Sequence, residues 1–187
     1  ILGNPSRKIV FKSAEGNCGK QVEIRDCNDF DPDGLIRYMK DMGYDLVEEF
    51  IIQHAELSRL SPSAVNTVRI STQLNAKAGV DILGCRLRIS VNSPVDNMAA
   101  GNLAAPIDTS TGQLSGPGVY SDVTKVEEEY HPITKVKIPG FTIPYWEEAL
   151  EMVEKAALLH PQNRSIGWDV VITSNGPGLI EANHDWC

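Results

Sequence analysis

The stretch GLIEANHDWC, residues 178–187, follows the apolar pair Leu179–Ile180 with Glu181, Asn183, His184 and Asp185. Side chains at i and i+2 of a strand share a face, so Glu181 and Asn183 point the same way. A carboxylate beside a carboxamide, at the end of a strand that has just entered a core, is costly without a partner. For such oxygens the usual partner is a cation. Asp169, upstream in WDVVI, joins them only if the hairpin register allows it. A two-residue turn at Asn175–Gly176 would set Asp169 opposite Ala182, on the wrong face. A three-residue loop over 175–177 would set Asp169 opposite Asn183 and Val171 opposite Glu181. Pro177 next to Gly178 favours the irregular loop. Three hard-oxygen groups on adjacent strands then suit Mg²⁺. The alternative is an ordinary hairpin with solvated acids.

Three further groups could act beside them. Lys12 leaves the strand KIVFK (8–12) into the glycine-punctuated SAEGNCGK (13–20). A point charge next to backbone N–H groups free of side-chain obstruction suits phosphate. No helix carrying G-K-[ST] follows, so this is not a Walker loop. In VEEFII (47–52) alternation puts Glu48 and Phe50 on one face and Glu49 and Ile51 on the other. One glutamate therefore occupies a position where a buried residue is expected, able to accept from a ligand amino or hydroxyl group; an edge strand with one wet face would look the same. Arg69 and Arg88 interrupt the apolar strands VRI and LRI. Arginine is rarely buried unpaired, and these two either form structural salt bridges or face a cleft with a fork suited to carboxylate or phosphate.

The elements that must position these groups are legible in outline. QVEIR (21–25) alternates and returns as the second arm of a hairpin with KIVFK. DPDGLIRYMKDMG (31–43) has Asp31 as N-cap, Pro32 at the first helical position, Leu35, Met39 and Met42 on one stripe, and Gly43 past the end. A strand over 45–51 and a short helical turn over 54–60 lead to two long strands, 65–74 and 80–90. A Gly-, Ala- and Asn-rich stretch (92–105) precedes a hairpin tip at Thr111–Gly112. Residues 115–143 lack periodicity and read as an extended surface loop. Residues 145–161 make the clearest helix, with Trp146, Ala149, Leu150, Val153 and Ala157 apolar and Glu147, Glu148, Glu151 and Glu154 wet. The expected class is α+β, with mostly antiparallel sheets and a few packed helices.

Composition narrows the function. The chain has 187 residues, 42% hydrophobic and 22% charged, with a formal net charge of −8. That balance argues against a general nucleic-acid or anionic-membrane surface. No apolar run approaches the roughly 18 residues of a membrane helix, and no signal peptide is expected. Four cysteines, Cys18, Cys27, Cys85 and Cys187, show no C-x-x-C spacing and read as free thiols of a reducing, cytoplasmic compartment.

Taken together these residues resemble the ATP-grasp superfamily. VFKSAEGNCGK is similar to its strand lysine and mobile phosphate loop, LVEEFI to its adenine hinge, and GWDVVI with LIEANHDW to its Asp … Glu-x-Asn magnesium motif. More narrowly, EEFIIQHAELSRLSPSAVNTVRIST, VDN (95–97) and GWDVVITSNGPGLIEANHDW resemble the sugar-transfer-associated branch. The resemblance implies a small lobe over 1–52 and a large lobe over 53–187. It implies ATP phosphates at Lys12 and a lid at Gly16, Gly19 and Lys20. Adenine would lie at Glu48 or Glu49 with the Phe50–Ile51 backbone, and ribose at Glu56. Mg²⁺ would lie at Asp169, Glu181 and Asn183, with Arg69 or Arg88 on the γ-phosphate or an acyl-phosphate. The implied activity is an ATP- and Mg²⁺-dependent carboxylate ligase acting on a small-molecule carboxylate and a nucleophile. The family name adds bacterial cell-surface polysaccharide metabolism. No nucleic-acid partner and no membrane insertion are expected. ATP-grasp enzymes usually carry a further N-terminal lobe and an earlier lysine, and a chain opening on Ile1 is expected to be a piece lacking both. A nucleotide- or sugar-phosphate-binding module without turnover is the rival.

Overall fold

The computed structural model describes residues 6–13 and 22–185. The chain divides into two compact units, Ile1–Ile52 and Gln53–Cys187.

In the first unit, β1 (Lys8–Lys12) is the centre of a three-stranded antiparallel sheet, flanked by β2 (Val22–Asp26) and β3 (Leu46–Glu49). Helix α1 (Pro32–Met42) starts where its cap residues say it should: Asp31 Oδ1 accepts from Gly34 N at 2.6 Å, and Pro32 occupies the first turn. Gly43 ends it with φ 73°, a left-handed conformation that glycine alone adopts without cost. The expected stripe is partly met. Leu35 and Met39 are half-buried, but Met42 is 54% exposed. Aromatic rings fill the core instead: Phe11, fully buried, lies 5.6, 5.3 and 5.4 Å from the rings of Phe30, Tyr38 and Tyr44. Glu23, opposite Phe11 on β2, accepts from the Tyr38 hydroxyl at 2.7 Å and the Tyr44 hydroxyl at 3.1 Å. The Tyr38 hydrogen bond above all, helped by Tyr44 and Arg25, holds the Glu23 carboxyl below the ordinary glutamate range against the opposing effect of burial.

The second unit is built on a six-stranded antiparallel sheet in the order β7-β6-β5-β4-β8-β9. Its strands are β4 (Val68–Leu74), β5 (Val80–Ile89), β6 (Leu103–Pro106), β7 (Val119–Tyr120), β8 (Ser165–Thr173) and β9 (Gly176–Asn183). Helices α2 (Ala55–Leu60) and α3 (Trp146–Leu159) complete it. Alternation divides the central strands. Val68, Ile70, Leu87, Ile89, Trp168, Val170 and Ile172 pack with Ala149, Val153 and Ala157 of α3 into one core. Arg69, Arg86, Arg88 and Asp169 lie on the other face, by register and period-two alternation. The fold is α+β and mostly antiparallel, with three α-helices among the described residues, as expected.

Residues 115–143 differ from the expected surface loop. Ile138, Phe141, Ile143 and His131 are buried, and bridges join Gly118 to Glu128 and Tyr130 to Lys137. Turns space the apolar residues irregularly, so a core-forming segment shows no period. The hairpin tip does sit at Thr111–Gly112: Gly112 has φ 70°, and its Cα packs under Trp146 so closely that a Cβ would come within 2.5 Å of the ring.

Candidate functional site

The terminal hairpin brings Asp169, Glu181 and Asn183 to one face by a route other than the expected loop. The turn is two residues, Ser174–Asn175, because Thr173 pairs with Gly176. Continued without interruption, that register would not align Asp169 with Glu181. It shifts by one residue between Asp169 and Val170: Val170 faces Leu179 and Asp169 faces Glu181, leaving Ile180 as the extra residue of a bulge. Gly167 faces Asn183. So Asp169 lies opposite Glu181, not Asn183, and all three side chains still share a face. Asn183 Nδ2 donates to Glu181 Oε1 at 3.1 Å.

Asp169 is 3% exposed and lies between two guanidiniums. Arg69, its neighbour across β4 and β8, donates from Nε to Oδ1 at 2.5 Å and from Nη2 to Oδ2 at 3.1 Å. Arg88 donates from Nη2 to both oxygens at 3.0 Å. Its Nη1 lies 3.7 Å from Asp96 Oδ1. Asp96 belongs to the VDN stretch, and its Oδ2 accepts from Thr67 N at 2.8 Å and Thr67 Oγ1 at 2.5 Å. Buried Asn102 holds the loop that carries Asp96: its Nδ2 donates to Val95 O at 2.6 Å and Asn97 O at 2.9 Å, and its Oδ1 accepts from Val91 N at 2.7 Å. The carboxylate of Asp96 thus arrives from a loop, beyond the reach of strand alternation. Arg86, paired in register with Arg69, is a third arginine on this face; the alternation RLR over 86–88 could have disclosed it.

The donor set fits magnesium in chemistry and in face: two carboxylates and an amide oxygen, hard ligands in register on adjacent strands. Glu181 is exposed and Asn183 half-buried, so both can reach a hydrated ion. Asp169 is engaged by the arginines. No group of three or more His, Cys, Asp or Glu among the described residues is gathered as a metal site. Burial pushes the Cys85 thiol up to about 11, so it stays protonated near neutrality.

The residues expected to meet nucleotide lie as follows. In the first unit the Lys12 ammonium is ion-paired with Glu48. Val10 faces Glu48 and Lys12 faces Leu46 across β1 and β3, so Lys12 and Glu48 are diagonal neighbours on one face and Glu49 lies on the other. β3 ends at Glu49, leaving Phe50 and Ile51 outside the strand, although Phe50 N still donates to Lys8 O at 3.3 Å. Gly16, Gly19 and Lys20 lie outside the described residues. In the second unit Glu56 is exposed at the start of α2 and accepts from Arg59 Nε at 3.0 Å and Nη2 at 2.8 Å.

The family model described as sugar-transfer associated ATP-grasp matches residues 4–187, and the chain belongs to that family. No curated protein matches it. Membership suggests an ATP-dependent, ligase-like enzyme; ATP-grasp proteins generally use ATP with Mg²⁺ and act on small molecules. Among the described residues, no helix is long and apolar enough to cross a membrane.

Proposed function

We propose that this sugar-transfer associated ATP-grasp protein is a carboxylate ligase that works through an acyl-phosphate. The observation that carries the reading is the face that Asp169, Glu181 and Asn183 share with Arg69 and Arg88. A substrate carboxylate oxygen would attack the γ-phosphorus of ATP, the bond to the bridging oxygen would break, and ADP would leave. An amine or other nucleophile would then attack the acyl carbon and release phosphate. The three oxygen ligands would hold magnesium, which when bound offsets charge on the phosphates. Arg69 and Arg88 would donate N–H groups to the transferred phosphoryl oxygens, where charge accumulates. Lys12 would meet the α- or β-phosphate, with Gly16, Gly19 and Lys20 as lid; Glu48 or Glu49 and the Phe50–Ile51 backbone would receive adenine, and Glu56 ribose.

The family's description supports placing the reaction in cell-surface polysaccharide assembly, and its use of ATP supports the cytoplasm. The test is ADP release from ATP and Mg²⁺ over a panel of carboxylates with candidate amines. Carboxylate-dependent ADP release supports a ligase. A nucleotide-dependent thermal shift with no ADP release from any carboxylate would instead make the chain a nucleotide-binding module. The absence of both signals would end the reading.

A further inference from the structure

A carboxylate offers about four acceptor directions, and Asp169 receives four hydrogen bonds: two from Arg69 and two from Arg88. As held, it has no lone pair left for a cation. To ligate one, it must give up a guanidinium, and a guanidinium cannot shed its proton to ease the loss.

The two arginines are unequal in this respect. Arg88 has a second acid within reach, Asp96 Oδ1 at 3.7 Å, in a side chain only 12% exposed. Asp96 is itself pinned by Thr67, and Arg88 N donates to Thr67 O at 2.9 Å. Arg88 therefore keeps a counter-charge when Asp169 turns away. Every ion pair and side-chain hydrogen bond described for Arg69 goes to Asp169, and its side chain is 9% exposed. A buried guanidinium without an anion is strongly unfavourable. The linked set of Arg69, Arg88, Asp96 and Asp169 carries two charges of each sign; once Asp169 serves a cation, the remaining three carry a net positive charge.

We propose that Asp169 is exchanged between Arg69 and a divalent cation, so that the cation and a phosphate oxyanion enter this site as a coupled pair, the oxyanion taking over Arg69. The inference rests on the proposed assignment of Asp169, Glu181 and Asn183 as cation ligands. Coupling of this kind is reciprocal: a cation without phosphate is opposed by stranding Arg69, and phosphate without a cation is opposed because Arg69 is already taken.

Removing Arg69 should therefore help a cation bind alone. Mn²⁺ binding followed by electron paramagnetic resonance, without nucleotide, should be about tenfold or more tighter in Arg69→Met than in the native protein, within the usual range of coupling between sites. Adding Glu181→Gln to Arg69→Met should abolish the gain. Equal Mn²⁺ affinity in Arg69→Met and native protein, with Glu181→Gln still weakening the native site, would overturn the exchange and leave the cation assignment standing. A Glu181→Gln change without effect in either background would overturn both.

If Arg69→Met does not fold, the native protein carries the test through its arginine Nε–Hε resonances and the Asn183 side-chain amide. The exchange requires the Arg69 resonance to move with Mg²⁺ and pyrophosphate together and to stay with pyrophosphate alone. An Asn183 amide that responds to Mg²⁺ and pyrophosphate while Arg69 stays fixed overturns the exchange. An unresponsive amide overturns the cation assignment as well.

Discussion

Asp169 and Glu181 face each other across the terminal hairpin because Ile180 is bulged between them and the turn. Without that extra residue, the register set at Thr173–Gly176 would carry Glu181 off the Asp169 face. A bulge beside a functional site commonly re-aims a side chain, and here it re-aims the carboxylate on which the proposed chemistry depends.

The two acids should respond differently to loss of charge. Asp169 is buried against two guanidiniums, and Asp169→Asn leaves them short of an anion, so unfolding should be easier by about 3–5 kcal/mol. Glu181 is exposed, and Glu181→Gln should change stability by less than about 0.5 kcal/mol. Both changes should abolish ADP release under the ligase reading. Urea unfolding beside the ADP assay separates the effects; a Glu181→Gln protein with native turnover would remove Glu181 from the site.

How much of this was legible follows from where each residue sits. Helix α1 was written locally, in Asp31, Pro32 and Gly43, and its caps appear as read. Arg69 and Arg88 announced themselves as charges inside apolar strands, but their common partner did not. Asp169 is 100 residues from Arg69, and only the pairing of β4 with β8 brings them together. The hairpin differs from the expected three-residue loop over 175–177: the irregularity that Pro177 and Gly178 suggest at the turn lies instead further along, as the bulge at Ile180, and the turn itself is Ser174–Asn175 with Gly176 at φ 112° beginning β9. Asp96 escaped notice as a site residue because it is delivered by a loop, held through buried Asn102, where no period exists to read.

Gly112 is a position where both backbone and space require glycine. Its φ of 70° and the Trp146 ring 2.5 Å from a would-be Cβ act together in Gly112→Ala, and the cost should be about 2–4 kcal/mol. Thermal melting should fall by roughly 5–15 °C at this chain length. A native melting temperature would mean that the tip and the ring move apart freely.

Glu23 gives the first unit a signed acid response. Its pKa is lowered from the ordinary 4.5, chiefly by the Tyr38 hydroxyl. A group depressed on folding contributes stability that is complete above its unfolded pKa and is lost as pH falls through the folded one. Glu23→Gln keeps an acceptor for the tyrosines but removes the charge. The native protein should therefore melt above Glu23→Gln at neutral pH, with the gap closing as pH drops below 4.5. A gap constant across that range would show that Glu23 contributes packing alone.

Lys12 and Glu48 form an ion pair with the lysine side chain 30% exposed and the glutamate 42%. At that exposure the pair itself is worth about 0–1 kcal/mol, so Lys12→Met should barely change melting. As a phosphate ligand the same ammonium should contribute on the scale of a charged hydrogen bond, about 1.5–3 kcal/mol, and Lys12→Met should weaken ATP binding by roughly 10- to 150-fold. Glu48→Gln separates the two roles: it releases the ammonium from its carboxylate and leaves an amide that can still hydrogen-bond a ligand. Calorimetry with ATP and Mg²⁺ should find Glu48→Gln within about tenfold of native and Lys12→Met far below it. A folded Lys12→Met protein with native ATP affinity would reduce Lys12 to a strand lysine paired with a neighbouring acid.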